Sequence, residues 1–275
     1  MAKVALAFFG ITRSLHKTFP SIEREIIEPL RRSFDVSVYC HFFDLKFVRN
    51  ERTREFGELN VSDAELLKPK RIVLEEPETC LKAWPTEDLK SFGSSDGDNY
   101  KSLENLIHQL HSLNRVSDLV LDDNFDICWF LRPDLVYSDE LLSVTEAGLL
   151  KAEPRVYLPD WESWGGFNDR FALCVGKDAI EAYGKRVVSM LNFCRETRRP
   201  LSGELLLKYR LQKSQVKVVA VRSKASRLRI TGYLKSEHFE RDFDANSRVS
   251  KVSVSSRAAR MVKYYINRTL FRFGN

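Results

Sequence analysis

The sequence predicts an α/β domain with a mainly parallel central sheet flanked by helices, followed by a basic amphipathic helix at the C terminus. Apolar runs of strand length alternate with segments of helical periodicity, which is the pattern of a parallel sheet with covering helices. A composition of 43% hydrophobic and 30% charged residues in 275 excludes collagen-like and largely disordered chains. We expect one folded domain over residues 1–244 and a basic tail over residues 245–275.

The first part of the chain alternates strands with a helix. Residues 3–9 form a continuous apolar run, typical of a strand buried on both faces, and residues 10–14 read as a loop. Apolar side chains three and four positions apart predict a helix over residues 19–34. Residues 35–43 and 70–74 are predicted as the second and third strands.

The second part repeats this alternation after a polar stretch. Residues 75–99 are rich in proline, glycine and serine and predict an exposed loop. Residues 103–116 keep helical spacing and lead into the buried strand 125–131. A further helix begins at Ser202, and residues 216–221 form another apolar strand.

The tripeptide Arg132-Pro133-Asp134 follows the strongest predicted strand. Functional groups of parallel sheets collect where strands end, and Pro133 stiffens this turn by fixing its own φ. Arg132 suits a phosphate or ribose, and Asp134 suits a metal ion or a sugar hydroxyl. A turn with a surface ion pair is the alternative.

A second candidate site lies within residues 158–172. Its aromatic rings beside carboxylate and amide groups match the apolar face and hydroxyl rim of a sugar, and its paired glycines allow close backbone approach. Alternatively, the tryptophans belong to the core and the charged pair is a local salt bridge. The candidate residues are Trp161, Trp164, Gly165, Gly166, Asn168, Asp169 and Arg170.

Glu204 stands in the first turn of the helix that Ser202 caps. The helix dipole stabilises a negative charge at this position. Taken alone, Glu204 is therefore interpreted first as a carboxylate that caps the helix.

The order of these segments resembles a family of bacterial-type glycosyltransferases of GT-A-like, Rossmann-like fold. The resemblance covers roughly residues 3–222. It is carried by the blocks Phe9-Gly10-Ile-Thr-Arg13-Ser14, His41, Arg132-Pro133-Asp134, Trp164-Gly165-Gly166-x-Asn168-Asp169-Arg170-Phe171-Ala172 and Ser202-Gly203-Glu204.

The resemblance implies transfer of a sugar from a nucleotide-sugar donor to a hydroxyl of a glycan or lipid-linked glycan, in cell-surface polysaccharide biosynthesis. Gly10, Thr12 and Arg13 would then line the donor site. Asp134 would take the place of the metal carboxylate of an Asp-x-Asp motif and hold Mg²⁺ or Mn²⁺. Arg132 stands where the first aspartate is expected, so it could instead neutralise the diphosphate without a metal.

An inverting transfer, which we favour, needs a carboxylate that deprotonates the acceptor hydroxyl. Asp169 is the first candidate for this base and Glu204 the second. A carbohydrate-binding protein without catalysis and an S-adenosylmethionine-dependent methyltransferase are the alternatives. The first loop holds one glycine, which speaks against the methyltransferase, and no phosphate-binding loop motif is present.

The basic tail predicts attachment to a membrane surface. As a helix, residues 256–273 place apolar side chains on one side and most basic side chains on the other. Docking of the apolar face on the domain and nucleic-acid binding are the alternatives. Residues 1–244 hold 37 basic and 38 acidic side chains, so we expect no nucleic-acid partner for the domain.

We expect the protein in the cytoplasm, at the inner face of the membrane. No apolar stretch approaches the roughly 20 residues of a spanning helix, and no secretory signal is present. Five cysteines without a C-x-x-C pair predict reduced thiols, mostly in the core. The glycosylation patterns at Asn60 and Asn267 are then chance matches.

Overall fold

A computed structural model describes residues 1–242, apart from residues 52, 95, 96, 126 and 152. The predicted tail helix lies outside these residues. The strands are Lys3–Gly10 (β1), Asp35–Phe43 (β2), Phe47–Asn50 (β3), Glu55–Glu58 (β4), Arg71–Glu75 (β5), Ile127–Leu131 (β6), Leu135–Tyr137 (β7), Arg155–Pro159 (β8), Ala172–Val175 (β9), Lys217–Val221 (β10) and Ala225–Arg227 (β11).

The α-helices in the described part of the chain cover both faces of the main sheet. They are Leu15–Ile22 (α1), Glu28–Ser33 (α2), Pro77–Lys82 (α3), Thr86–Lys90 (α4), Lys101–Leu121 (α5), Leu142–Leu149 (α6), Lys177–Gly184 (α7), Met190–Thr197 (α8) and Gly203–Lys213 (α9). A π-helical turn, Glu23–Ile27, joins α1 to α2, and 3-10 helices span Val61–Leu67 and Arg186–Ser189.

The main sheet has the strand order β10-β8-β9-β6-β1-β2-β5 in the described residues. All neighbouring strands are parallel except β9, which runs antiparallel to both β6 and β8. This confirms the prediction of a mainly parallel α/β sheet flanked by helices. Since β1 lies between β2 and β6, the strand order reverses there, and ligands of open α/β sheets bind at such switch points.

The core forms two layers that share β1 as their centre. Val4, Leu6 and Phe8 point to the layer that contains α1 and α2, whereas Ala5 and Phe9 point to the layer that contains α5, α7 and α9. β1 is therefore buried on both faces, as its continuous apolar sequence predicts. The five cysteines are all buried and unpaired, which agrees with the expectation of core thiols.

The structure corrects two expectations from the sequence. The helix predicted over residues 19–34 begins earlier, at Leu15, directly after Ser14 in the left-handed conformation (φ 54°). The loop predicted over residues 75–99 contains α3 and α4, because Pro77 opens a helix well and because Cys80 and Leu89 are fully buried against a third apolar cluster.

Candidate active site at the carboxyl edge of the sheet

A cavity of about 990 Å³ opens at the carboxyl edge of the sheet, beside the switch point between β1 and β6. Loops after β1, β2 and β6 line the cavity, together with α5, the start of α9, and β11 with the residues that follow it. Eight of the thirteen residues predicted for the site line this cavity: Gly10, Arg13, Arg132, Asp134, Trp164, Asp169, Arg170 and Glu204.

The other five predicted residues do not line the cavity, and four of them lie in the loop that carries Asp169. Trp161 is buried, and its indole Nε1 donates to the carbonyl oxygen of Ser223 (2.9 Å). The Asn168 side chain donates to the carbonyl of Trp161 and accepts from the backbone N–H of Arg170 (3.0 Å). Gly165 turns the same loop at φ 79°.

Gly166 and Thr12 complete the set outside the cavity. A Cβ at Gly166 would lie 2.1 Å from the carbonyl oxygen of Glu204, so only glycine lets this loop meet the start of α9. The backbone N–H of Phe167 donates to the same carbonyl (3.0 Å). Thr12 lines a separate, smaller cavity of about 300 Å³ next to His16.

Asp169 and Glu204 form a carboxylate pair on one wall of the cavity. A Cβ at Gly203 would lie 2.8 Å from Asp169 Oδ2, which places the Asp169 carboxylate directly against the first turn of α9. Burial, together with the negative charge of Asp169, raises the pKa of Glu204 to about 7. Ser202 Oγ donates to Glu204 Oε2 (3.2 Å).

Arg186 forms a buried ion pair with Asp169. This arginine is completely buried, and its Nη2 donates to Asp169 Oδ2 at 3.3 Å. Its Nη1 donates to the carbonyl of Tyr183, whose ring lies 4.5 Å from the guanidinium carbon. Gln109 Nε2 also donates to Asp169 Oδ2 (3.3 Å). Asp169 is thus held by a buried cation and an amide, whereas Glu204, with its pKa of about 7, exists in both its protonated and its ionised form near neutral pH.

Two further ion clusters border the cavity, of which the first is built around Asp134. Arg132 donates two hydrogen bonds to Asp134, from Nε to Oδ1 (2.9 Å) and from Nη2 to Oδ2 (2.8 Å). Arg13 Nη1 also donates to Asp134 Oδ2 (3.4 Å) and its Nε lies 3.5 Å from Glu55 Oε1. Arg229 Nη1 donates to Glu55 Oε2 (2.9 Å).

The second ion cluster is built around two buried glutamates. Glu237 accepts from Arg227 Nε (2.7 Å), Lys235 Nζ (2.7 Å) and Arg170 Nη2 (3.2 Å). Arg170 also donates to Glu162, whose Oε2 lies 3.7 Å from Arg227 Nη2.

Each ion cluster has three cations and two carboxylates, so each carries one excess positive charge. All six cations line the cavity, whereas Asp134 is the one carboxylate of the four that does. We call this surface the cationic wall: Arg13, Arg132, Arg170, Arg227, Arg229 and Lys235. An excess of guanidinium groups on a partly enclosed wall attracts anions, above all phosphates.

Sequence reasoning missed the residues after β10 that complete this wall. Residues 225–237, which we call the basic strap, supply Arg227, Arg229 and Lys235. β11 pairs with β7, and the N–H of Leu228 donates to the carbonyl of Asp134 (2.8 Å), which fixes the strap over the cavity. The alternation Arg227-Leu228-Arg229 was the available signal, because strand residues two apart share one face.

A separate cluster of His41, Glu75 and His111 has the composition of a metal site. Its members bind each other: Glu75 lies 3.1 Å from His41 Nε2 and 2.8 Å from His111 Nε2. Trp84 Nε1 donates to His111 Nδ1 (3.1 Å), so Nε2 of that ring carries the proton and has no lone pair for a metal. Burial lowers the pKa of His41 to about 4, which keeps this ring neutral as well.

No protein-family model matches the chain, and no curated protein matches it. Among solved structures it is similar to mouse xyloside xylosyltransferase 1 (11% identity, 80% of this chain and 85% of that chain covered, TM-score 0.39). It is also similar to galactosyltransferase LgtC in complex with donor and acceptor sugar analogues (11%, 80% and 73%, TM-score 0.45). A third is the mannosyltransferase Ktr4p from S. cerevisiae (8%, 81% and 69%, TM-score 0.47). Since these TM-scores lie below 0.5, the function has to be argued from the residues of the site.

In the part of the chain that the structure describes, no helix has the length and apolarity required to cross a bilayer.

Proposed function

We propose that this protein is a glycosyltransferase that moves a sugar from a nucleotide-sugar donor to a hydroxyl of a glycan or lipid-linked glycan acceptor, in cell-surface polysaccharide biosynthesis. One observation carries the proposal. The cationic wall and the pair Asp169 and Glu204 line one cavity at the switch point of a mainly parallel sheet. This arrangement provides for both reaction needs, a site for an anionic leaving group and a base for the acceptor.

The donor diphosphate would bind at the cationic wall. The two excess positive charges of this wall attract the negatively charged diphosphate, and planar guanidinium groups bind phosphate oxygens through paired N–H donors. Gly10 supports this assignment because it ends β1 at φ 108° and a Cβ there would meet no atom within 4 Å, so that a ligand finds open space beside its α-carbon.

Glu204 would deprotonate the acceptor hydroxyl. A carboxylate with a pKa of about 7 takes up a proton at neutral pH far better than an ordinary glutamate, and this raised pKa supports the choice of Glu204 rather than Asp169 as the base. Asp169 would keep that pKa high by its negative charge. This assignment agrees with an inverting transfer.

Trp164 would bind a sugar ring. The side chain is 63% exposed and lines the cavity, which is the position of a stacking platform for a pyranose. For the tail over residues 245–275, we propose attachment to an anionic membrane face, which would bring the cavity to a lipid-linked acceptor.

The first test is a thermal-shift screen with UDP, GDP, CMP, dTDP and S-adenosylhomocysteine. A ligand of the folded state raises the melting temperature, and we expect one of the nucleotides to do so. The effect should be lost in Arg227→Gln and kept in the control Arg222→Gln, whose side chain is 76% exposed and pairs with Asp160 outside the cavity. A shift with S-adenosylhomocysteine alone would support the methyltransferase instead.

Turnover separates a transferase from a carbohydrate-binding protein. With the matching nucleotide-sugar, the wild type should release the nucleotide slowly to water and faster to an acceptor extract, and Glu204→Gln should lose about 100-fold or more of this rate. Nucleotide binding by Glu204→Gln should persist. Tight binding of a glycan without any nucleotide release would favour the binding protein.

A further inference from the structure

We infer that guanidinium groups take the place of a divalent cation in this chain, so that donor binding and sugar transfer do not depend on a metal. This inference rests on the proposed function. The resemblance to GT-A-like enzymes implies a metal ion at Asp134, and the geometry around this carboxylate points to a different arrangement.

Asp134 does not fit the role of a metal ligand. A divalent ion needs a carboxylate oxygen that faces it with a lone pair free of competing donors. Here Oδ1 accepts from Arg132 Nε (2.9 Å), and Oδ2 accepts from Arg132 Nη2 (2.8 Å) and Arg13 Nη1 (3.4 Å). A cation brought to Asp134 would therefore have to displace two arginines, each of which repels it.

The negative charge of Asp134 is balanced inside its ion cluster. Burial by itself would raise the pKa of this carboxyl, but the guanidinium of Arg132 holds it well below its usual range. The negative charge is thus already compensated within the protein.

The other carboxylates around the cationic wall are also engaged. Glu55 accepts from Arg229 (2.9 Å) and from Thr53 Oγ1 (2.7 Å), and Glu237 accepts from three cations. His41, Glu75 and His111 do not line the cavity, and Trp84 occupies the second nitrogen of His111. In the described residues, the carboxylates of the two ion clusters that form the cationic wall are thus all held by cations of the protein itself.

The cationic wall supplies what the metal would otherwise supply. In the transfer, the bond between the sugar carbon and the diphosphate oxygen breaks, and its electron pair stays on the diphosphate. The acceptor oxygen forms the new bond to that carbon, and its proton moves to the Glu204 carboxylate. Arg13, Arg227 and Arg229 donate hydrogen bonds to the departing diphosphate, whose growing charge the excess positive charge stabilises.

The test compares nucleotide binding and donor turnover in EDTA and in Mn²⁺, with protein whose metal content has been measured by mass spectrometry. We expect the nucleoside diphosphate that binds to have the same dissociation constant in both, within about twofold, and turnover to survive EDTA. A tightening of about tenfold or more by Mn²⁺, or turnover that EDTA abolishes, would overturn the inference and leave the proposed function intact. Binding of no nucleotide in either condition would overturn both.

Two variants sharpen the comparison. In Asp134→Asn, a metal-holding carboxylate would be lost, whereas here the change frees Arg132 and Arg13, so nucleotide affinity in EDTA should stay equal or rise. In Arg229→Gln, affinity in EDTA should fall about tenfold, because one N–H donor of the cationic wall is removed. Arg222→Gln is the matched control outside the cavity. Because Asp134→Asn also disturbs a buried pair, its far-UV spectrum and melting temperature are checked first, and the Arg229→Gln and wild-type results hold independently of it.

Discussion

Glu204→Gln should make the folded protein more stable at alkaline pH and lose this advantage at acidic pH. Gln has nearly the same shape as protonated Glu but cannot ionise. In the wild type the pKa of Glu204 is raised from 4.5 to about 7, because the carboxyl is buried and lies beside Asp169. The folded state therefore holds this proton more tightly than the unfolded state.

The sign and the size follow from this difference. Below pH 4.5 both states are protonated, and Glu204 adds no pH dependence. Between pH 4.5 and about 7 the unfolded state releases the proton and the folded state keeps it, so the wild type loses stability as the pH rises. Since each tenfold difference in proton affinity is worth about 1.4 kcal/mol, the wild type loses at most about 3 kcal/mol relative to Glu204→Gln.

Urea unfolding at pH 4.5, 6 and 8 measures the difference between the two proteins directly. The free energy of unfolding of Glu204→Gln minus that of the wild type should grow across the series and level off above pH 7, whatever the other groups do. The control Glu140→Gln, at an exposed glutamate, should show no such growth. A difference that stays flat from pH 4.5 to 8 would refute the assignment of the proton to Glu204, and with it the argument for this residue as the base.

Three further predictions concern the same wall of the cavity. Gly166→Ala should lower the free energy of unfolding by about 2 kcal/mol or more in urea titrations, because the new Cβ meets the Glu204 carbonyl. In the control Gly165→Ala the new Cβ meets no atom, so this change should cost only about 1 kcal/mol of strain from the left-handed backbone. Arg186→Met should cost about 3–5 kcal/mol because it leaves Asp169 as a buried charge without its cation, and the double variant with Asp169→Asn should cost less than the sum of the single changes. The rate of transfer should rise with pH around pH 7 in the wild type, and a rate that is independent of pH between 6 and 8 would argue against Glu204 as the base.

The central strands were predictable because they are buried on both faces. β1 and β6 are continuous apolar runs and β2 is apolar at most of its positions, and the predicted limits of all three agree with the structure to within two residues. β9 was not predicted, since its four residues are too few to show a period. The short helices α3 and α4 were missed because each buries only one or two side chains, so neither shows a helical period. The prolines and glycines nearby in the sequence indicate a loop instead.

The candidate site was predictable where its residues directly follow a strand. Arg132 and Asp134 come after β6 and Gly10 ends β1, so the rule for carboxyl ends of parallel strands places them together. Arg227 and Arg229 could not be placed in this way. They reach the cavity through the pairing of β11 with β7, a contact about 90 residues apart in the chain that local periodicity does not encode.

The block around Trp161 shows how composition alone misleads about a role. Its aromatic and amide groups were predicted to bind sugar, yet Trp161 and Asn168 use their polar atoms on backbone partners within the fold. Their indole and amide groups hold the loop that presents Asp169 and Trp164 to the cavity. The same residue types occur in ligand-binding sites and in structural loops. The two roles differ in whether the polar atoms of the side chain bind a ligand or the backbone, which the sequence does not show.

The antiparallel direction of β9 explains how the carboxylate pair comes to line the same cavity as the cationic wall. In a fully parallel sheet, the residues that precede a strand lie at the edge opposite to those that follow one. Because β9 runs against β6 and β8, Asp169, which precedes it, lies at the same edge as Asp134, which follows β6. Gly166 and Gly203 then let the loop and the start of α9 close together, so that Glu204 stands beside Asp169. A single reversed strand thus brings the proposed base and the arginines of the cationic wall into one cavity.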